Sequence, residues 1–229
     1  MNSKYLKYAL GEIMLVMIGI LLALQVNNWN EGLKEAKERN AFRSSLEKEL
    51  QADRIYLTDK IEGLKSESDE LLLFKEKVNS VDADLTQLKL LVQEELIPFI
   101  TDFRGFNNNT YQSYSSSGRL NLLNNELQQE LYLLNTMQIQ TLASYEKLTD
   151  LYFVQISSFG QKYPLDIEIS LIKRGKLYDE IWAKARLEEL GAALNTWGTS
   201  KRNYYRIMIS NLQEALDQTN HILDNYFPQ

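Results

Sequence analysis

The polarity pattern of the chain changes sharply near its start. Ile13 to Leu24 is an unbroken run of twelve apolar or glycine residues. That run alone is short for a bilayer span, which needs about 20 residues. Extending it to Tyr8 and Asn28 gives the length and takes in Glu12 and Gln25. Tyr5 and Tyr8 at one end and Trp29 at the other suit the headgroup layer, where amphipathic rings gather. The pattern therefore predicts one N-terminal transmembrane helix over residues 8–28. Two alternatives compete. In a cleaved signal peptide, Lys4 and Lys7 would be the charged region, but no small-x-small cleavage site follows and Gln25 stands at the critical position. The other alternative is a buried core helix of a soluble protein.

Beyond Asn30 the pattern turns helical and charged, and Glu31 to Val78 holds no proline. Residues 30–43 are polar nearly all round, as in a stalk continuing the span into water, with Glu35 and Arg39 placed for an i,i+4 pair. Leu50, Leu57, Leu64, Leu71 and Val78 recur at seven, but Arg54, Ser68 and Lys75 occupy places where a coiled-coil seam wants apolar residues. One good position per heptad marks a long helix laid on a core, with Gly63 as a point of interruption. Residues 84–97 read as a second helix stopped near Pro98. Residues 101–118 are the most irregular stretch, rich in turn-forming Asn, Ser and Gly. Asn124 or Asn125 then caps a long amphipathic helix marked by Leu127, Leu131, Leu134, Tyr152 and Phe159, which Pro164 breaks. Residues 166–171 alternate like a short strand. Helices are expected over 177–194 and 197–227.

These elements imply an all-α fold: an N-terminal transmembrane helix continuing into a long-helix antiparallel bundle. The expected division is an anchor over residues 1–30 and an extramembrane helical domain over 31–229, since no linker divides the latter. The basic residues Lys34, Lys37, Arg39 and Arg43 follow the span, against Lys4 and Lys7 before it, yet a short basic tail is the end usually retained. The expected placement is single-pass in a bacterial inner membrane, with the domain in the periplasm.

Composition narrows the chemistry. The chain has 229 residues, a formal charge of −6, one histidine and no cysteine. The acid excess argues against a nucleic-acid partner. Absence of cysteine removes disulfides, thiol nucleophiles and thiolate metal sites. His221 has only Asp217 four residues away, and Glu126 and Glu130 share a face without a Glu-x-x-His companion, so no metal site is indicated. No nucleophile triad and no phosphate-binding glycine loop is present. The reading is therefore not an enzyme, with no cofactor.

Two groups of residues remain as candidate sites. In the span, Gly11, Gly19 and Ala23 fall at spacings of eight and four, and Gly19-x-x-x-Ala23 lets helices approach closely. Glu12 lies seven residues before Gly19, on much the same side. An ionisable group at membrane depth is a functional candidate, although one turn inside Tyr8 it is also placed for solvation at the interface. The second group is the 104–119 loop, where Arg104, Tyr111, Tyr114 and Arg119 offer hydrogen bonds and stacking to a ligand. The plainer alternative is a structured connection whose tyrosines pack onto the bundle.

Tyr5-Leu6-Lys7-Tyr8-Ala9-Leu10-Gly11-Glu12-Ile13, with Gly19 to Glu31 and a mid-chain block of Thr110-Tyr111 and Ser117-Gly118-Arg119-Leu120-Asn121-Leu122-Leu123, resembles the signature of an uncharacterised Bacteroidetes family. That family is a domain of unknown function found in single-span, N-terminally anchored helical membrane proteins. The resemblance implies topology and lineage. Gly11, Glu12, Asn27, Asn28 and Trp29 belong to the signature, and no activity or role comes with them. The expected function is a structural or interaction subunit of a homo-oligomeric or envelope membrane complex, with membrane lipid and other envelope proteins as partners. The alternatives are a subunit of an ion- or proton-conducting assembly using Glu12, and a periplasmic ligand-sensing module using the 104–119 loop.

Overall fold

The charged stretch after the apolar run does not interrupt its helix. In the computed structural model, which describes residues 3–80, 84–168 and 170–228 and side chains from residue 9 onward, α1 runs Ser3–Val78 as one helix of 76 residues. The side chains of Lys4, Tyr5, Lys7 and Tyr8 lie outside the described residues. Gly63 does not break α1. The other helices are α2 (Leu85–Glu95), α3 (Asn109–Ser116), α4 (Asn125–Lys162), α5 (Lys176–Lys184) and α6 (Leu187–Tyr226), and no strand is present among the described residues. The all-α fold expected from the sequence is the observed one.

Local chemistry sets the helix ends. The Asp84 carboxylate accepts from the N–H groups of Thr86 (2.9 Å) and Gln87 (2.8 Å) and caps α2. Asn124 Oδ1 accepts from Leu127 N–H at 3.0 Å and caps α4. That helix stops at Lys162 because Pro164 disfavours helical backbone at Tyr163.

Three expectations need correction. Much of the 104–119 loop is helical. Glu49 from α1 accepts from Thr110 N–H at 3.1 Å and so caps α3, while Gly118, at φ 70°, ends it in the left-handed conformation before a 3-10 turn over Arg119–Leu122. The strand expected at 166–171 is a turn where described: Ser170 N–H donates to the Ile167 carbonyl at 2.9 Å, and Ile169 lies outside the described residues. The last two helices divide at Ala185–Arg186, earlier than residues 195–196. The Arg186 guanidinium holds Glu188 and Glu189 in the first turn of α6, and the Arg186 carbonyl accepts from the Tyr163 hydroxyl (3.0 Å) as well as from Glu189 N–H (3.1 Å).

By packing, the chain forms two compact units, Met1–Glu49 with Asn108–Gln128, and Leu50–Asn107 with Gln129–Gln229. The boundary near residue 30 is one of polarity instead. In the first unit Phe42, Leu46, Tyr111, Leu123 and Leu127 are buried, and Tyr114 stacks on Phe42 with ring centroids 3.7 Å apart. In the second unit, α6 runs antiparallel to α1 and to α4. Tyr205 pairs with Glu67 and Lys201 lies beyond it towards Leu71, whereas Gln218 pairs with Glu130 and Trp197 with Tyr152. The chain from α1 to α4 returns to the starting end, so those two helices run the same way. The core is two clusters, one around Tyr152, Phe159, Trp182 and Trp197, the other around Leu57, Leu64, Tyr204, Met208 and Leu212.

Candidate functional site

The candidate residues of the span sit on an unpartnered helix. About 100° per residue separates successive side chains, so Glu12, Gly19 and Ala23 share a narrow stripe and Gly11 stands at its edge, roughly 80° from Gly19. No atom lies within 4 Å of a Cβ built on Gly11 or Gly19. At the end of the apolar run, Asn27 Nδ2 donates to Glu31 Oε1 at 3.0 Å.

The four loop candidates are each held within their own unit. Arg104 belongs to the second. Its N–H donates to the Tyr56 hydroxyl at 3.0 Å, and its guanidinium stacks 3.9 Å from that ring. Tyr111, Tyr114 and Arg119 belong to the first: Tyr111 is buried, Tyr114 lies on Phe42, and Arg119 is paired with Glu38. These contacts are those of a structured connection.

The second unit holds a polar cluster that the sequence pattern did not single out. After α2 the chain crosses residues 96–107 without helix, among three helices. A backbone packed against helices without a ladder of its own must find partners, and side chains supply them. Lys201 donates to the Ile97 carbonyl (2.5 Å), Tyr152 to that of Pro98 (2.5 Å), Tyr204 to that of Thr101 (3.2 Å) and Lys60 to that of Asp102. The carboxylate of Asp53, only 1% exposed, accepts from the N–H of Asn107 at 3.0 Å and from its Nδ2 at 2.6 Å. Tyr145 donates to Asp102 Oδ1 at 2.6 Å; that bond, with one from Phe103 N–H, holds the Asp102 carboxyl below its ordinary range.

Lys201 is the most perturbed cation of this cluster. It is 4% exposed, and burial pulls its amine down to about 8, against the opposing pull of Glu67 and Glu70. Its Nζ lies 5.4 Å from the Trp197 ring centroid and 5.8 Å from that of Tyr205. Glu67 in turn accepts from Tyr205 at 3.0 Å and from Thr101. A cavity of about 190 Å³ opens beside these groups, with Glu70, Glu95, Phe74 and Phe99 in its wall. The aromatic and acidic wall that would suit an organic cation is already occupied by the Lys201 ammonium. A signal for this cluster does exist in the sequence. Lys60 and Lys201 fall on otherwise apolar helical stripes, between Leu57 and Leu64 and between Trp197 and Met208. Among the described residues no three His, Asp or Glu side chains come together to hold a metal ion.

A family model described as "Family of unknown function (DUF6090)" matches residues 12–164, two thirds of the chain. The chain belongs to this family. The DUF6090 match begins at Glu12, just before the apolar run, and ends at Pro164, just after α4. It includes Asp53, Lys60 and the 96–107 crossing, while Lys201, Tyr204 and Tyr205 lie on α6 beyond it. No curated protein and no solved structure matches the chain.

Proposed function

We propose that the chain is a single-pass protein of a bacterial inner membrane, N-terminus inside, whose helical domain serves outside as a structural or interaction subunit of a homo-oligomeric or envelope complex. One observation carries this reading. All twelve large apolar side chains from Leu10 to Val26 are more than half exposed, on every side of α1. The helix is long and apolar enough to cross a membrane. Leu, Ile and Val each favour the bilayer by about 0.3–0.6 kcal/mol at helix centre. Summed over the run, this exceeds the roughly 2.5–3.5 kcal/mol that a charge at bilayer centre costs, and Glu12 sits near one end.

The chain lacks cysteine, so single introduced thiols report topology cleanly. Asn2→Cys and Ser115→Cys would be treated with a membrane-impermeant maleimide in spheroplasts. Ser115→Cys should label directly and Asn2→Cys only after lysis. The reverse result would overturn the orientation, and recovery of the chain in a carbonate-washed supernatant would overturn the anchor. Assembly rests on the Glu12, Gly19 and Ala23 stripe. Native mass spectrometry from nanodiscs should give oligomers that Gly19→Leu weakens, and a strict monomer removes this part of the reading. The conduction alternative rests on the same Glu12, and a flux insensitive to Glu12→Gln would discard it. The ligand-sensing alternative has the least support, because Arg104, Tyr111, Tyr114 and Arg119 all have intramolecular partners.

A further inference from the structure

A second hollow in the second unit, of about 400 Å³, shares Leu71, Phe74 and Trp197 with the cavity beside Lys201. Its long walls are α1 from Leu71 to Val78, with Asn79 just beyond, and α6 from Gly191 to Arg202. It is open because α6 presents Gly191 and Gly198, seven residues apart and so on one face. No atom lies within 4 Å of a Cβ built at either. Leu71, Leu72, Val78, Leu194 and the Phe74–Trp197 edge contact make the rest of the lining apolar.

The charges differ from those of the neighbouring cavity. There, Glu67, Glu70 and Glu95 face a cation the chain supplies itself. Here no acid lines the groove, although the chain carries a net −6, and the two charged residues are Lys75 and Arg202. Neither takes part in an ion pair among the described residues. Asn195 and Thr199 add hydrogen-bonding groups at the same wall. An apolar cleft with a few polar groups is the usual form of a small-ligand site, and this volume is near the low end of the ~300–1,000 Å³ range.

We infer that this groove binds a free amphiphile with one carboxylate and a short unbranched tail, the carboxylate held by Lys75 and Arg202 and the tail lying on Leu71, Leu194 and Trp197. Lys75 and Arg202, with no acid in the lining, select an anionic head, and the apolar lining selects an aliphatic tail.

The test uses the full chain in lipid nanodiscs and radiolabelled decanoate in equilibrium dialysis, with empty nanodiscs subtracted. Saturable uptake of about one decanoate per chain is expected. Gly198→Leu should weaken it about tenfold by filling the groove, and Lys75→Gln with Arg202→Gln roughly fivefold by removing exposed cations. Decylammonium should show no saturable uptake. Gly198→Leu should melt no earlier than the parent, since leucine is a better helix former than glycine. Gly191→Leu is a second blocking variant and decides the matter if Gly198→Leu melts early. Uptake no greater than by empty nanodiscs, uptake unchanged in the blocking variants, or decylammonium binding as well as decanoate would each overturn the inference.

Discussion

Lys60 and Lys201 carry amines into the interior of the second unit, each donating to a carbonyl of the 96–107 crossing. Burial lowers both amines from their ordinary values, Lys201 to about 8 against 10.5. The linkage has a definite sign. Below pH 8 Lys201 is charged in the folded and unfolded chain alike, and its desolvation cost is fully present. Between pH 8 and 10.5 the unfolded chain holds the extra proton, so stability rises with pH. Urea unfolding of the parent against Lys201→Met should therefore show the parent gaining on the variant by about 2 kcal/mol from pH 7 to 9.5. Parallel pH dependences would refute the assignment. Above pH 10 the trend should reverse in both proteins, because burial raises the hydroxyls of Tyr152, Tyr204 and Tyr205 and the unfolded chain ionises first. Asp53 is the matching acid. Asp53→Ala leaves the Asn107 N–H without its acceptor and should cost about 2–3 kcal/mol, whereas Asp59→Ala, at an exposed position, should be close to neutral by the same urea titration.

At the scale of elements, α1 carries two heptad rows in the second unit. Leu50, Leu57 and Leu64 are buried, as their spacing foretold. The companion row is Asp53, Lys60 and Glu67, which engage Asn107, Asp102 and Thr101 in reverse order along the crossing. This row serves a non-helical backbone, while Arg54, Ser68 and Lys75, the residues that spoil a coiled-coil seam, lie on the neighbouring row and are not buried. Periodicity marks such a role only at Lys60, which interrupts an apolar stripe; Asp53 and Glu67 read as solvated until their partners are known. Capping is more local, so the sequence narrowed the α4 cap to Asn124 or Asn125, and the bond from Leu127 N–H puts it at Asn124. Asn124→Ala should cost about 1 kcal/mol in thermal melts and Asn125→Ala, inside the first turn, much less. If the order is reversed, the cap is misassigned. The 104–119 stretch was misread for the opposite reason. Its Asn and Ser residues favour turns in isolation, and a carboxylate sixty residues earlier, Glu49, supplies the cap that α3 itself lacks.

At the scale of the molecule, the first buried apolar residue among those described is Phe42, and both core clusters use later residues. Removing residues 1–30 should therefore leave a cooperatively melting helical protein, within a few degrees of the full chain, that no longer sediments with membranes. A non-cooperative melt would mean that the apolar run supports the fold as well as anchoring it. What the sequence determined by itself was whatever depends on neighbours three, four or seven residues apart: the predominantly helical content, the long apolar run at the start, a cap at Asn124 or Asn125, the stop at Pro164, and the family. Only the tertiary structure decided which polar side chains are interior and why. Asp53, Lys60 and Lys201 are buried because a stretch of backbone more than forty residues away from each one needs donors and acceptors. The groove between Gly191 and Gly198 likewise exists only where α1 happens to face it. These are long-range pairings, and they depend on where the chain returns and not on what adjoins each residue.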